Sequence, residues 1–315
     1  AAPALPLTAA ERGVLLLCAA MGDAERPLTM AQFRALSLRA QAHGAPGGDL
    51  SAELTRSDLL RLGCTETETE QVLALLTRER ALDDYLAAAE REQIVPLTRI
   101  TAAYPEPLAR RLHTSCPPVL FARGDLLLMR RRCIALTGSR ALVEAGRRFA
   151  RRVGELAACE GYTLVSGGAP GADSEAQEAC LRAGGSVIVF TPQRLCDQPL
   201  REHMLYLSEG GWTLPFSAPR ALSRNRLIHA MGEKTLVAQT GFGSGGTWSG
   251  ALENLRHGWS TLYVHDDGSE GAAALIARGA EPVRELGSLS GLTPAQARFC
   301  EPVRYPVIDQ ERCQI

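Results

Sequence analysis

Three glycine-rich stretches hold the residues best suited to chemistry, and each directly follows a short apolar run: residues 138–140, 166–173 and 243–247. Glycine lets backbone N–H groups approach an anion without a Cβ in the way, and it accepts the positive φ of tight turns. Arg140 adds a permanent charge that can hold a phosphate through two parallel hydrogen bonds. One such turn is weak evidence. Three together favour a phosphate or nucleotide site over glycines that only tighten turns.

A basic segment further along the chain, Arg224-Asn225-Arg226, is suited to an anionic backbone and a base edge. Residues two apart on a helix do not share a face, so one arginine could face a ligand while the other is structural. A solvated basic helix start explains the segment equally well. The candidate phosphate- or DNA-binding residues are Gly138, Ser139, Arg140, Ser166, Gly167, Gly168, Gly171, Asp173, Arg224, Asn225, Arg226, Gly243, Ser244, Gly245, Gly246 and Thr247.

Several enzyme and metal-site classes lack their motifs in this sequence. No stretch ends in the Gly-Lys-Ser/Thr of a Walker A loop, and no G-x-G-x-x-G follows the first strand, which disfavours kinases and simple NAD enzymes. The nine cysteines show no C-x-x-C spacing, so no metal site and no disulfide framework are predicted. The histidines have no evident Ser or Cys partner, so no catalytic residue and no cofactor are predicted. Trp248, after the third stretch, could stack a base or simply pack.

The glycine-rich stretches need strands before them and helices after them. Apolar runs predict strands at 93–97, 133–137, 162–166, 186–190, 212–214, 235–239 and 260–265. Helical periodicity predicts helices at 141–159, 174–182, 200–207, 221–231 and 272–277, with a further helix through 253–256. Strands that alternate with helices in this way predict an α/β fold, a Rossmann-like doubly wound parallel sheet with a smaller N-terminal helical domain.

The chain of 315 residues is long enough for more than one domain. We predict an N-terminal helical module over 1–100, which includes a helical hairpin, an extended Rossmann-like domain over 101–287 and an irregular tail over 288–315. A net charge of −1 excludes a globally basic nucleic-acid binder but not a local basic pocket. The start has no signal-peptide pattern, and no apolar run is long enough to span a bilayer. The expected location is the cytoplasm, without a membrane partner.

With these residues laid out, the chain resembles the DNA-processing protein A family, called DprA or Smf. The matching segments are Gly138-Ser139-Arg140, residues 166–173 against the family's S-G-x-A-x-G-I-D, and residues 224–228 against its R-N-R-I-I. Tyr104-Pro105 and residues 117–124 also look like the family's. The resemblance implies an extended Rossmann domain that binds and protects single-stranded DNA. It also implies loading of a RecA-type recombinase in natural transformation, and a homodimer.

The sequence departs from that family at several positions. Ala172 stands where the family has isoleucine, and Gln177 where it has histidine. The family's Tyr-Pro segment is missing around 191–200, and residues 243–250 are richer in glycine than the family's loop. These departures describe a divergent member.

Residues 243–250 are also similar to the P-G-G-x-G-T-x-x-E of nucleotide phosphoribohydrolases. That motif's glutamate position is occupied by Gly250, and Glu253 lies almost a helical turn further on. The alternative prediction is therefore a free nucleotide as ligand, either sensed or hydrolysed with help from Glu253.

Overall fold

The computed structural model describes residues 7–42 and 54–294, and in these ranges nine strands form one mixed sheet. The strands are β1 (Ile94–Thr98), β2 (Val119–Gly124), β3 (Cys133–Thr137), β4 (Thr163–Ser166), β5 (Ser186–Phe190), β6 (Met204–Glu209), β7 (Lys234–Val237), β8 (Thr261–His265) and β9 (Glu281–Val283). Their order across the sheet is β1-β2-β6-β5-β4-β3-β7-β8-β9. In this spatial order, all the strands from β6 through β3 to β9 run parallel to one another. Strands β1 and β2 add an antiparallel edge next to β6.

The chain changes its direction across the sheet beside β3. From β3 it builds β4, β5 and β6 on one side, and then crosses back to place β7 against the other side of β3. Ala135 of β3 accordingly pairs with Val165 of β4 and with Thr235 of β7. Such a reversal opens a crevice at the carboxyl ends of the strands, where doubly wound proteins hold ligands. The predicted Rossmann-like doubly wound sheet is confirmed.

Helices cover both faces of this sheet. They are α1 (Ala9–Cys18), α2 (Met30–Ala42), α3 (Arg56–Arg61), α4 (Glu66–Leu76), α5 (Glu79–Arg91), α6 (Glu106–Leu112), α7 (Glu144–Cys159), α8 (Ala172–Arg182), α9 (Ala218–Ser223), α10 (Asn225–Met231), α11 (Gly246–His257) and α12 (Glu270–Ile276). On β3, Ile134 and Leu136 join one apolar cluster with α7 and α8, whereas Ala135 joins another with α6 and α10. Because β3 is covered on both faces, its sequence is continuously apolar rather than alternating.

The helices from α1 to α5 precede every strand of the sheet and share its apolar core. Thr8 and Glu11 form a capping box at the start of α1, with the Glu11 N–H donating to Thr8 Oγ1 at 3.2 Å. Tyr85 of α5 meets Phe121 of β2 edge to face at 5.7 Å and Trp212 at 5.2 Å. The predicted division at residues 100 and 287 stays a prediction. No helix in the described ranges is long and apolar enough to cross a bilayer.

Two of the predicted elements are wrong, and contacts with distant parts of the chain decide both. Residues 200–207 were expected to be helical, but Met204–Glu209 is strand β6, held between β2 and β5. Its continuous apolar run suits burial on both faces, and such a run cannot be told from a buried helix by periodicity alone. Residues 212–214, expected as a strand, form a loop in which Trp212 packs on Tyr85. The helix predicted over 221–231 is interrupted at Arg224, between α9 and α10.

The chain after β9 is fastened to the amino-terminal edge of the sheet, away from the crevice. Lys234 Nζ donates to the carbonyls of Leu289 and Leu292, both at 2.7 Å, and of Ser290 at 3.3 Å. The Glu160 carboxylate accepts the N–H groups of Leu289 at 2.8 Å and Ser290 at 2.7 Å. Leu289 is fully buried. Most of the irregular tail predicted over 288–315 lies outside the described residues.

Candidate functional site

The loops after β3, β4 and β7 meet at the carboxyl edge of the sheet, where the strand order reverses. Their strands are neighbours, since β3 pairs with both β4 and β7. The Ser139 N–H donates to the Gln239 carbonyl at 2.9 Å, which joins the first loop to the third. The Ala172 N–H donates to the Ser139 carbonyl at 3.2 Å, which joins the second to the first. The three glycine-rich stretches therefore form one continuous surface.

A cleft of about 410 Å³ opens between the second loop, β5 and α9, and Arg140 stands at its wall. The Arg140 side chain is exposed. Among the residues that the structure describes, none makes an ion pair or a hydrogen bond with its guanidinium. The cleft lining contains two arginines, Arg140 and Arg224, together with Tyr206, but no carboxylate, imidazole or thiol. This chemistry suits the binding of an anion and provides no general base.

Arg224 lines the cleft, and hydrogen bonds to backbone carbonyls hold its side chain in place. Its Nη1 donates to the Phe190 carbonyl at 2.7 Å and its Nε to the Ala221 carbonyl at 3.3 Å. The side chain is buried, with 9% of its surface exposed. Burial lowers the pKa of Arg224, and the nearby Asp173 carboxylate opposes that shift. A Cβ on Gly167 would lie 1.6 Å from Arg224 Nη1, so the loop after β4 fits against this guanidinium only with glycine at 167.

The Asp173 carboxylate stabilises the second loop by hydrogen bonds to the loop's own backbone. Its Oδ2 accepts the N–H groups of Gly167 at 3.0 Å and Ala169 at 3.2 Å. Burial raises the pKa of Asp173, while the Arg224 charge and these two hydrogen bonds oppose the rise. The expectation that a phosphate rests on the Gly167 amide therefore needs correction, because that N–H points inward to a carboxylate.

Two further groups of the second loop are used inside the fold as well. Ser166 Oγ, expected as a hydroxyl donor to ligand, is fully buried and accepts a hydrogen bond from Gln177 Nε2 at 2.6 Å. The Gly171 N–H donates to Ser174 Oγ at 3.1 Å. Gly168 lines the cleft. The second loop thus contributes its shape and a surface that packs against Arg224, rather than a ring of free amides.

The first loop is similarly tight around Arg140. A Cβ on Gly138 would lie 2.4 Å from the Cβ of Ala172, so the loop packs directly on the start of α8. Ser139 Oγ donates to the Gln239 carbonyl at 3.2 Å. Of the three predicted residues in this loop, Arg140 is the one whose side chain stands exposed.

Arg226 and Asn225 hold the surroundings of the cleft together. Arg226 pairs with Glu209 through both terminal nitrogens and donates from Nε to the Ser115 carbonyl at 3.2 Å. Asn225 Nδ2 donates to the Gly246 carbonyl at 3.1 Å and thereby positions the start of α11. Of the two arginines in the basic segment, Arg224 lies at the cleft and Arg226 is engaged in the fold, which is one of the two outcomes that helical spacing allowed.

The third loop is the most exposed of the three. Gly243 and Gly245 have positive φ values of 71° and 89°, and Gly245 caps α11. The first helical bond runs from the Ser249 N–H to the Gly245 carbonyl at 3.1 Å, so the amides of residues 246–248 precede the helical ladder. Ser244 is exposed, and Gly246 and Thr247 are half-buried. The free N–H groups at this helix start are hydrogen-bond donors suited to an anion.

Three residues important to this architecture escaped the sequence analysis. Gln239 Oε1 accepts the Val143 N–H at 2.9 Å, and its Nε2 donates to the Ala141 carbonyl at 3.3 Å. A polar residue directly after an apolar strand was the available signal. Phe216 and Tyr206 line the cleft. Phe216 lies in an irregular loop and Tyr206 in a strand mistaken for a helix, so neither offered a reliable signal. Trp248, which could have stacked a base, is 7% exposed and packs inside.

Comparison with known families agrees with this architecture. Residues 96–291 match the family model of the DNA recombination-mediator protein A. The chain belongs to this family. The resemblance drawn from its motifs is thereby confirmed.

Individual relatives within and near this family are distant in sequence. The chain is 32% identical to Protein Smf of Escherichia coli (strain K12) over 189 residues, 55% of this chain and 50% of Smf. It is 29% identical to DNA processing protein DprA of Streptococcus pneumoniae (strain ATCC BAA-255 / R6) over 255 residues, 75% of this chain and 86% of the relative. The chain thus spans about half the length of Smf and most of the streptococcal protein.

Solved structures of family members share the fold. The X-ray structure of DNA processing protein A from Streptococcus pneumoniae superimposes with a TM-score of 0.66 at 24% identity, covering 89% of this chain and 95% of that one. DNA processing protein A from Helicobacter pylori, whose structure describes a single-stranded DNA binding mode, gives a TM-score of 0.51 at 24% identity, covering 62% and 92%. At these identities the likeness establishes a common fold.

Proposed function

We propose that this protein binds single-stranded DNA without catalysing a reaction on it, and that a backbone phosphate sits at Arg140. The observation that carries the proposal is the state of Arg140. It is exposed, makes no ion pair with a described residue, and stands at a cleft lined by residues of the first and second loops. Family membership and the single-stranded DNA bound by the Helicobacter relative support the choice of ligand.

The charge distribution around the cleft also supports an anionic ligand. Arg140 and Arg224 line it together, and the nearby Asp173 carboxylate is buried beneath the loop. In contrast, Arg147 and Arg151 of α7 pair with Glu175. An exposed, unpaired arginine that contacts a phosphate adds affinity for a nucleic-acid strand, because counterions are released from the strand on binding.

Free nucleotide remains the competing ligand, and hydrolysis of a nucleotide has little support. Glu253, the residue that would be needed, is exposed on α11 seven residues after Gly246, about 10 Å along the helix axis. The cleft lining offers no carboxylate in its place. Binding is therefore the simpler chemistry for these residues.

Finer aspects of the role rest on the family alone. We propose that the protein protects incoming strands and loads a RecA-type recombinase in natural transformation, and that it acts in the cytoplasm as a homodimer. Residues 1–100, 101–287 and 288–315 would then be the helical module, the DNA-binding domain and the tail.

A titration of a fluorescent oligothymidylate at several salt concentrations tests the binding proposal. Arg140→Ala should weaken binding by about tenfold or more and reduce the slope of log K against log salt by about 0.7, the value for one phosphate contact on a single strand. Arg256→Ala is the matched control, since Arg256 is exposed in the last turn of α11, far from the cleft. Equal affinities for wild type and Arg140→Ala would refute the site. Unlabelled mononucleotides as competitors distinguish a free nucleotide as ligand.

A further inference from the structure

We propose that Phe242 is a stacking platform for a base of the bound strand, next to the phosphate held by Arg140. This inference rests on the proposed single-stranded DNA binding and names how the third loop takes part in it. Phe242 lies in the loop between β7 and α11, and 49% of its surface is exposed. Phe242 follows Gln239, whose carbonyl accepts the Ser139 N–H, so the exposed ring lies in the same group of loops as Arg140.

The ring of Phe242 is supported from one side. It contacts Trp248 at a centroid distance of 5.3 Å and an interplanar angle of 70°. Trp248 is 7% exposed, and the Arg278 guanidinium lies 5.3 Å from its ring centroid. A near-perpendicular aromatic contact of this kind favours a defined ring orientation. The indole that the sequence marked as a possible stacking group is thus the buried support, and Phe242 is the exposed surface.

The base of the loop is fixed beside Arg140. Gln239 accepts the Ser139 N–H through its carbonyl, and Ser139 is the residue directly before Arg140. Thr240, the next residue, is 5% exposed. Phe242 follows Gln239 by three residues, so their Cα atoms are at most about 11 Å apart. Because Gln239 is bonded to the residue before Arg140, this limit keeps Phe242 on the same edge of the sheet as a phosphate at Arg140.

The chemistry of phenylalanine selects the partner. The side chain has no hydrogen-bond donor or acceptor and carries no charge, so it cannot hold a phosphate. Its flat π face suits any nucleobase, because every base offers a π surface and stacking tolerates sequence changes. Single-stranded DNA exposes such surfaces, whereas duplex DNA stacks them internally. The platform therefore favours single strands over duplex, with little preference among bases.

The test compares Phe242→Ala, Phe242→Leu and Phe242→Trp with wild type in titrations of fluorescent oligothymidylate. Both Phe242→Ala and Phe242→Leu should weaken binding by at least about fivefold, the lower end for loss of one stacked base. Leucine keeps apolar contact with Trp248, so its loss of affinity would isolate the aromatic ring. Phe242→Trp should bind as wild type does. The salt slope should stay unchanged in all three variants, because no phosphate contact is removed.

A second arm uses the same oligonucleotide with abasic sites. Wild type should lose affinity for this strand, and Phe242→Ala should bind it as wild type does, because the partner of the ring is already missing. If Phe242→Ala loses as much affinity relative to wild type on the abasic strand as on the normal strand, the stacking role is overturned. The role is also overturned if Phe242→Ala binds the normal strand with wild-type affinity. The same holds if the variant's only change is a different oligomeric state, measured by light scattering.

The outcomes also separate this inference from the proposed function. If wild type does not bind oligothymidylate, the proposed function itself fails. If wild type binds and Arg140→Ala weakens binding while Phe242→Ala does not, only the stacking inference fails. Thermal unfolding of each variant shows whether it is folded.

Discussion

A Cβ atom added to Gly167 would lie 1.6 Å from Nη1 of Arg224. The two residues belong to separate sequence motifs, one in the loop after β4 and the other between α9 and α10. Their contact brings the glycine-rich loop and the basic segment into one wall of the cleft. It also explains why Arg224 can be buried, since Asp173, which organises that same loop, lies near enough to stabilise its charge.

Gly167→Ala should destabilise the protein, because Arg224 would have to leave the Phe190 carbonyl to make room. Overpacking of this kind costs about 1–3 kcal/mol, which thermal unfolding should report as a lower Tm. Gly241→Ala is the matched control, since its nearest neighbour would lie 4.0 Å from the new Cβ. In the double variant Gly167→Ala/Arg224→Ala the clash is absent, so the two changes should be less than additive. Strict additivity would argue against the contact.

Arg226→Ala should lower stability and leave the DNA affinity of the folded protein unchanged. The substitution leaves Glu209 without its partner, and the two side chains are only 16% and 28% exposed, so we expect a loss of about 1–3 kcal/mol by chemical denaturation. Arg226→Met/Glu209→Gln should recover part of that loss, because no partly buried charge stays unpaired. A variant of normal stability but weak DNA binding would instead place Arg226 in the DNA site.

His229 should make stability depend on pH in the acidic range. Its ring is fully buried, neither nitrogen has a hydrogen-bond partner among the described residues, and burial lowers its pKa to about 4. The unfolded chain, with a pKa near 6.5, binds the proton more readily, so folding stability falls as pH drops from about 6.5 towards 4.

Measurement of Tm across that pH range checks this account. His229→Leu removes the titrating group and should flatten the profile there, while at pH above 7 it should be no less stable than wild type, since an unpaired buried polar group is also removed. Parallel profiles for the two proteins would show that other groups cause the acid sensitivity.

Lys234→Met should loosen residues 286–292 while leaving the sheet intact. The methionine keeps most of the apolar stem but loses the three bonds from Nζ to the carbonyls of Leu289, Ser290 and Leu292. Hydrogen exchange should therefore accelerate at the amides of Leu289 and Ser290. Glu160→Gln, which weakens the acceptor for those two amides, should act in the same direction. Unchanged protection in both variants would mean that burial of Leu289 alone holds the segment.

Much of the fold around the site could be predicted from local sequence. The predictions that failed share a cause, which is dependence on residues distant in the sequence. Strands β3, β4, β5, β7 and β8 were predicted from their apolar runs, and β3, β4 and β7 also from the glycine-rich turns that follow them. Strand β6 was mistaken for a helix because its apolar run carries no turn signal before Gly210 and its identity comes from pairing with β2 and β5. That the predicted site residues bind a ligand stays a prediction. Their individual roles, such as Ser166 turned towards Gln177, depend on neighbours distant in sequence.

The amino-acid sequence alone determined the family, the alternation of strands and helices, and the placement of glycine-rich loops at strand ends, because these follow from residue types at short spacings. Only the tertiary structure decided which charges are available. Arg140 stands exposed, whereas Arg226 is neutralised by Glu209 and Arg224 is buried against Gly167. Availability of a charge depends on what folds against it, and long-range packing brings those partners together.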